Sequence, residues 1–158
     1  MENYVLNFST EYYQFYLLDS KTKAKTDADD FWCLDADKRR LAIGEGLLGV
    51  TITTYGDVVM TLRILLGKPQ VLVDATHVVE ASIRMPSGIL QIKNCTAYAT
   101  QFELPIEKGT YRVRVTTQKI IYSSFVNGKT VDDLVDDYII DMWKSNFTKP
   151  KILKVLVA

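Results

Sequence analysis

Aspartate is the side chain that this sequence concentrates enough to do chemistry with. One block, Asp27, Asp29, Asp30, Asp35 and Asp37, surrounds the run Phe31-Trp32-Cys33-Leu34. A second, Asp132, Asp133, Asp136, Asp137 and Asp141, lies in a stretch from Val131 to Asp141 that has no basic residue. Carboxylates at this density can steer a basic partner, hold a hard cation, or act as an acid–base pair. The calcium option is weak in detail: Asp27-Ala28-Asp29-Asp30 lacks the glycine and the closing glutamate of an EF-hand loop. No pair of carboxylates stands out as a glycosidase pair. The aromatic residues among the first block favour a protein contact, with an acidic rim around an apolar anchor. The predicted partner-binding residues are therefore Asp27, Asp29, Asp30, Trp32, Asp35, Asp132, Asp133, Asp136 and Asp137, with no catalytic, cofactor or metal residue assigned.

The other reactive side chains are sparse. His77 is the sole histidine, which removes HExxH zinc sites, paired-histidine metal sites and two-histidine phosphodiester chemistry. It stands at the start of an alternating segment without a nucleophile elbow, so it is expected to be a surface histidine at a strand end. Cys33 and Cys95 have no CxxC partner and are expected to be buried, reduced thiols of a cytoplasmic protein. Met1-Glu2-Asn3-Tyr4 lacks the basic start of a secretory signal, and no apolar run approaches the roughly 18 residues of a membrane span.

The elements that must carry these residues are mainly strands, because the dominant hydrophobic period is two. Val79, Ala81, Ile83 and Met85 alternate with Glu80, Ser82 and Arg84; Pro86-Ser87-Gly88 turns the chain; Leu90 and Ile92 follow. This predicts a β-hairpin with one buried and one wet face. Tyr98 to Leu104, Tyr111 to Thr116, Val50 to Tyr55, Val58 to Leu66 and Ile152 to Val157 read as further strands, with Arg112 and Arg114 on a wet face. Tyr12 to Leu18, apolar on both faces, suits a central strand. Glu107-Lys108-Gly109 ahead of Tyr111 has the form of a tyrosine corner, in which the phenol bonds back to the backbone.

Two stretches break this period. Lys21 to Asp30 is polar and loop-like. After the turn signal Asn127-Gly128, Thr130 and Asp133 have capping-box spacing, and Val131, Leu134, Val135 and Tyr138 fall at i, i+3, i+4 and i+7. That predicts a short helix running into a strand at Ile139 to Trp143. The whole is expected to be one all-β domain of 158 residues, an antiparallel, Greek-key-like β-sandwich with one short helix.

Three segments resemble a bacterial family, the competence-associated inhibitor of the DNA-entry nuclease and uncharacterised proteins similar to it. They are Tyr13-Gln14-Phe15-Tyr16-Leu17-Leu18-Asp19; Phe102-Glu103-Leu104-Pro105 through Gly109-Thr110-Tyr111-Arg112-Val113-Arg114-Val115; and Asp137-Tyr138-Ile139-Ile140-Asp141-Met142-Trp143. The resemblance implies a small cytosolic inhibitor or immunity-type protein that binds a nuclease and has no catalysis of its own. The net charge of zero, from 19 basic and 19 acidic side chains, is a sum of opposed blocks. It argues against a generally basic nucleic-acid binder while leaving a local acidic face for a basic protein. The alternatives are a calcium- or membrane-responsive sandwich and an enzyme with dispersed carboxylates. Strand edges can also pair into homo-oligomers.

Overall fold

A computed structural model describes residues 1–53 and 56–155. The strands are β1 (Glu2–Thr10), β2 (Gln14–Asp19), β3 (Leu41–Gly44), β4 (Leu47–Thr51), β5 (Gly56–Leu65), β6 (Ala75–Met85), β7 (Ile89–Asn94), β8 (Thr100–Pro105), β9 (Gly109–Val126), β10 (Lys129–Lys144) and β11 (Lys151–Lys154). One helix, α1 (Leu34–Arg39), lies between β2 and β3. The strands form a six-stranded sheet, β1-β5-β10-β9-β6-β11, and a five-stranded sheet, β3-β4-β2-β7-β8. All neighbours are antiparallel except β5 and β10. The fold is all-β with one short helix, as the alternating pattern predicts. The last residues of the predicted C-terminal strand, Leu156 and Val157, and Thr54 and Tyr55 lie outside the described residues.

The main core sits between the sheets. Phe15 and Leu17 of β2, Val79, Ala81, Ile83 and Met85 of β6, and Val113, Val115, Ile140 and Met142 of β9 and β10 all contribute to it. Strand β2 is central and buried on both faces, as expected: Tyr16 and Leu18 point away from the sandwich interior into a second, smaller core. Phe31, Ala36, Ala42 and Leu47 complete that core beneath α1. Its larger side chains, Leu18, Phe31 and Leu47, contribute about 1.5–3 kcal/mol each, enough for even this small cluster to hold α1 and its loop on the sheet.

Tyr111 makes the predicted corner: its hydroxyl donates to the Glu107 carbonyl at 2.6 Å. The segment Val78 to Ile92, by contrast, is not a hairpin. Strand β6 pairs with β9 and β11, β7 pairs with β2 and β8, and Pro86-Ser87-Gly88 carries the chain from one sheet to the other. The same holds between β4 and β5 and between β8 and β9.

The expected wet face of β6 and β9 is also buried, except at Arg84, which is exposed as expected. Arg114 is 1% exposed, and Arg112, Glu80 and Ser82 are buried beside it. The Arg114 Nε donates to Glu80 Oε2 at 2.8 Å, and the Arg112 Nε to Glu80 Oε1 at 3.1 Å. Both guanidiniums also donate to backbone carbonyls that cross this face: Arg114 to Pro69, Arg112 to Thr148 and Lys149. Asp141 extends the charge row across the sheet with a two-pronged contact to Arg63, at 2.5 and 2.8 Å.

The largest correction concerns the helix. Thr130 to Tyr138 belongs to β10, and Asn127-Gly128 closes a long β9–β10 hairpin. Both turn residues have positive φ, 51° and 76°, as a two-residue turn that matches strand twist requires. A helix would stack Asp132 on Asp136 and Asp133 on Asp137, like charges one turn apart. In the ribbon each instead faces a different residue of β9: Ser123, Lys119, Tyr122 and Gln118 respectively. The β-branched Thr130, Val131, Val135, Ile139 and Ile140 favour the same outcome.

The helix forms where acid precedes base. Asp35 and Asp37 lie in the first turn of α1, and Lys38 and Arg39 in its last, so both ends complement the helix dipole. Arg40 ends it in a left-handed conformation with φ 57°.

Candidate functional site

The loop that leads into α1 and the first turn of the helix together hold the first acidic block outward. Phe31 is buried, Trp32 is half-buried against it in an edge-on contact with centroids 5.4 Å apart, and the chain around them must stay at the surface. Asp27, Asp29, Asp30, Asp35 and Asp37 are all exposed, and none makes an ion pair among the described residues. Trp32 rests over Gly49 of β4, where there is no side chain to displace it.

The second block splits along the ribbon. Asp132 and Asp133 are exposed near its tip, and Asp132 accepts from the Ser123 hydroxyl at 2.5 Å. Asp136 and Asp137 are buried at its base. Lys119 Nζ lies 2.6 Å from Asp136 Oδ1, and the Thr53 hydroxyl donates to Asp136 Oδ2. The Gln118 amide donates to Asp137 Oδ2 at 3.0 Å. These two carboxylates already have partners that anchor the ribbon.

The ribbon itself shows what sequence reasoning missed. From Lys119 to Asp136 its two strands pair only with each other, among the described residues. Ile121, Phe125 and Leu134, on the face that continues the core, are 72%, 76% and 67% exposed. The signal was the uncharged, strand-forming run Ile120-Ile121-Tyr122-Ser123-Ser124-Phe125-Val126 ahead of Asn127-Gly128.

Beside α1, at the ends of β4, β6 and β11, lies a cleft of about 700 Å³, lined by Asp37, Lys38, Arg40, Thr51, His77, Ile152 and Val155. Its charge is mixed, with Asp37 beside Lys38 and Arg40. His77 is buried rather than at the surface, with Nε2 2.8 Å from the Arg39 carbonyl oxygen. Burial pushes its pKa below the ordinary 6.5, the Arg39 carbonyl pulls it back up, and the charge of Arg40 lowers it further. The unfolded chain therefore binds a proton that the folded chain resists once pH falls below 6.5, and stability falls with pH there until the folded pKa is reached. Thermal melts between pH 7.5 and 5 are expected to show this decline, and His77→Gln is expected to flatten it. An equally steep decline in the variant would remove His77 as its source.

Cys33 and Cys95 are both half-buried and free. Among the described residues no three side chains of the metal-ligating types converge, and no helix is long and apolar enough to cross a membrane.

Two solved structures share this fold. One is ComJ of Bacillus subtilis, described as an inhibitor of the DNA-degrading activity of NucA, with a TM-score of 0.65, 13% identity, and coverage of 91% of this chain and 98% of ComJ. The other, described as crocagin biosynthetic gene J, gives a TM-score of 0.60, 19% identity, and coverage of 92% and 100%. The resemblance read from the three sequence segments thus extends to the whole fold. No protein-family model and no curated protein sequence matches the chain.

Proposed function

We propose that this chain is a non-catalytic, protein-binding module of inhibitor type, and that its partner is a basic protein such as a nuclease. The observation that carries this is the acidic block: five exposed carboxylates that make no ion pair among the described residues, three on the loop fixed by the Phe31–Trp32 contact and two in the first turn of α1. A nuclease must attract phosphates with a basic groove, and carboxylates held at a similar spacing can occupy it instead. Asp27, Asp29, Asp30 and Asp35 supply the main contact, with Trp32 as the apolar support behind them. Asp132 and Asp133 add a second contact from the ribbon, and Asp136 and Asp137 hold the ribbon in place. The nuclease inhibitor ComJ has the same fold, which makes the scaffold suitable for such a role.

The test is capture of a basic nuclease from a lysate of the chain's own cells, with association rates measured at several salt concentrations. Lysine at Asp27, Asp29, Asp30 and Asp35 is expected to slow association by about 10- to 1,000-fold and to remove its salt dependence. Lysine at Asp132 and Asp133 is expected to have a smaller effect of the same sign. Unchanged capture with both sets reversed would overturn the acidic interface.

A further inference from the structure

The two free edges of the ribbon differ in charge. The β10 edge carries Asp132, Asp133, Asp136 and Asp137, so two copies of it laid together would set aspartate against aspartate. The β9 edge is uncharged from Ile120 to Val126 and has neither proline nor glycine. Open edges of this composition are templates for another strand unless charge, a bulge or a covering element protects them. Here only the β10 edge has such protection.

We propose that the β9 edge pairs antiparallel with the same edge of a second copy of this chain, making a four-stranded sheet from two ribbons. A two-fold axis at Ser123 sets Ile121 opposite the partner's Phe125, and Ile120 opposite the partner's Val126. Tyr122 then faces the partner's Ser124. Directly opposed residues share a sheet face, and each of these pairs satisfies that condition given the β9–β10 register. Lys119 falls beyond the apolar pairs, so no like charges meet. Ile121 and Phe125, the most exposed apolar side chains on the core-side face of the ribbon, thereby cover one another. The β10 edges, with Asp132 and Asp133, stay outermost on both sides. The pairing goes beyond the inhibitor function and uses none of its acidic residues.

A ribbon edge buries less than a standard interface, so the dimer is expected to be weak, with a dissociation constant of about 10–100 μM. Sedimentation of the intact chain should show reversible doubling of mass over that range. Hydrogen exchange should show Ile120–Val126 amides gaining protection as concentration rises. Ile121→Asp and Phe125→Lys should each remain monomeric and keep the wild-type melting temperature, since both side chains are exposed. An equimolar mixture of the two should associate again, because the new carboxylate meets the new ammonium across one pair while the native Ile121–Phe125 contact remains at the other. A wild-type chain that stays monomeric to about 0.5 mM would overturn the proposal, since even a weak interface shows at that level. Persistent dimers of either variant, concentration-independent exchange, or a mixture that fails to associate would overturn it as well; a strand from a different protein would then be the occupant of this edge.

Discussion

Replacing Glu80 with alanine is expected to lower stability by about 3–5 kcal/mol, the cost typical of removing one partner from a buried ion pair. Glu80 lies between Arg114 and Arg112, and all three side chains are almost wholly shielded from water. Without the carboxylate, two guanidiniums would remain buried with no counter-charge from β6, only backbone carbonyls and the Ser82 hydroxyl to receive them. Glu80→Gln keeps one acceptor oxygen and should lose less than alanine does. The decisive contrast is the joint replacement of all three by apolar residues of similar volume. Such replacements of whole buried networks are often neutral or stabilising, so the triple variant should recover much of the loss. Urea unfolding midpoints measure each case. A loss below about 1 kcal/mol for Glu80→Ala would mean that water reaches the two arginines.

The same residue sets an acid limit. Burial by itself pushes the Glu80 carboxyl up, but hydrogen bonds and charge from Arg114 and Arg112 outweigh it, leaving its pKa below the ordinary 4.5. Its contribution is therefore complete above pH 4.5 and is lost as pH falls through the folded value. The decline traced to His77 begins at higher pH, so the two are separable in one titration.

Local pattern told as much about this fold as local forces decide. Strand β2 was legible because an apolar run on both faces has only one comfortable place, the middle of a covered sheet. Asn127-Gly128 and the Tyr111 corner were legible because each rests on backbone geometry within a few residues. The sheet-to-sheet crossings at Pro86-Ser87-Gly88 and Glu107-Lys108-Gly109 were not. A hairpin and a crossing share the same alternation and the same turn residues, and they differ only in which distant edge accepts the strand. Glu80, Arg112 and Arg114 read as a wet face for a related reason: one carboxylate on β6 is shared by two guanidiniums on β9, and the register that brings them together is a long-range property. The helix was misplaced because apolar residues at i, i+3, i+4 and i+7 weigh periodicity alone. The ordering of Asp35, Asp37, Lys38 and Arg39 along α1, and the β-branching of Thr130 to Ile140, were the better guides. Of the proposed interface, the exposed acidic loop was legible, since charged runs beside one buried aromatic must face water. The apolar ribbon was not, because a run like Ile120 to Val126 ordinarily denotes a buried strand.

Gly49→Val is expected to show how the small outer core controls the acidic loop. A Cβ at Gly49 would lie 2.8 Å from Trp32 Cζ2 and 3.0 Å from Phe31 Cε2 and Cζ. The backbone cannot retreat, because Gly49 is paired with Tyr16 on one side and Ala42 on the other. The aromatic rings must therefore lift, and the loop bearing Asp27, Asp29 and Asp30 moves with them. Overpacking of this kind costs about 1–3 kcal/mol, well short of unfolding a typical domain. Trp32 emission should shift to the red, while Trp143, 5% exposed in the opposite sheet, supplies an unchanged background. Capture of a basic partner should weaken although no charge has changed, which separates the placement of the carboxylates from their number. Adding Trp32→Ala makes room for the valine, so the combined loss of stability should be smaller than the sum of the two single losses. Additive losses with unchanged emission would show that Trp32 does not rest on Gly49, and the acidic loop would then need a different anchor.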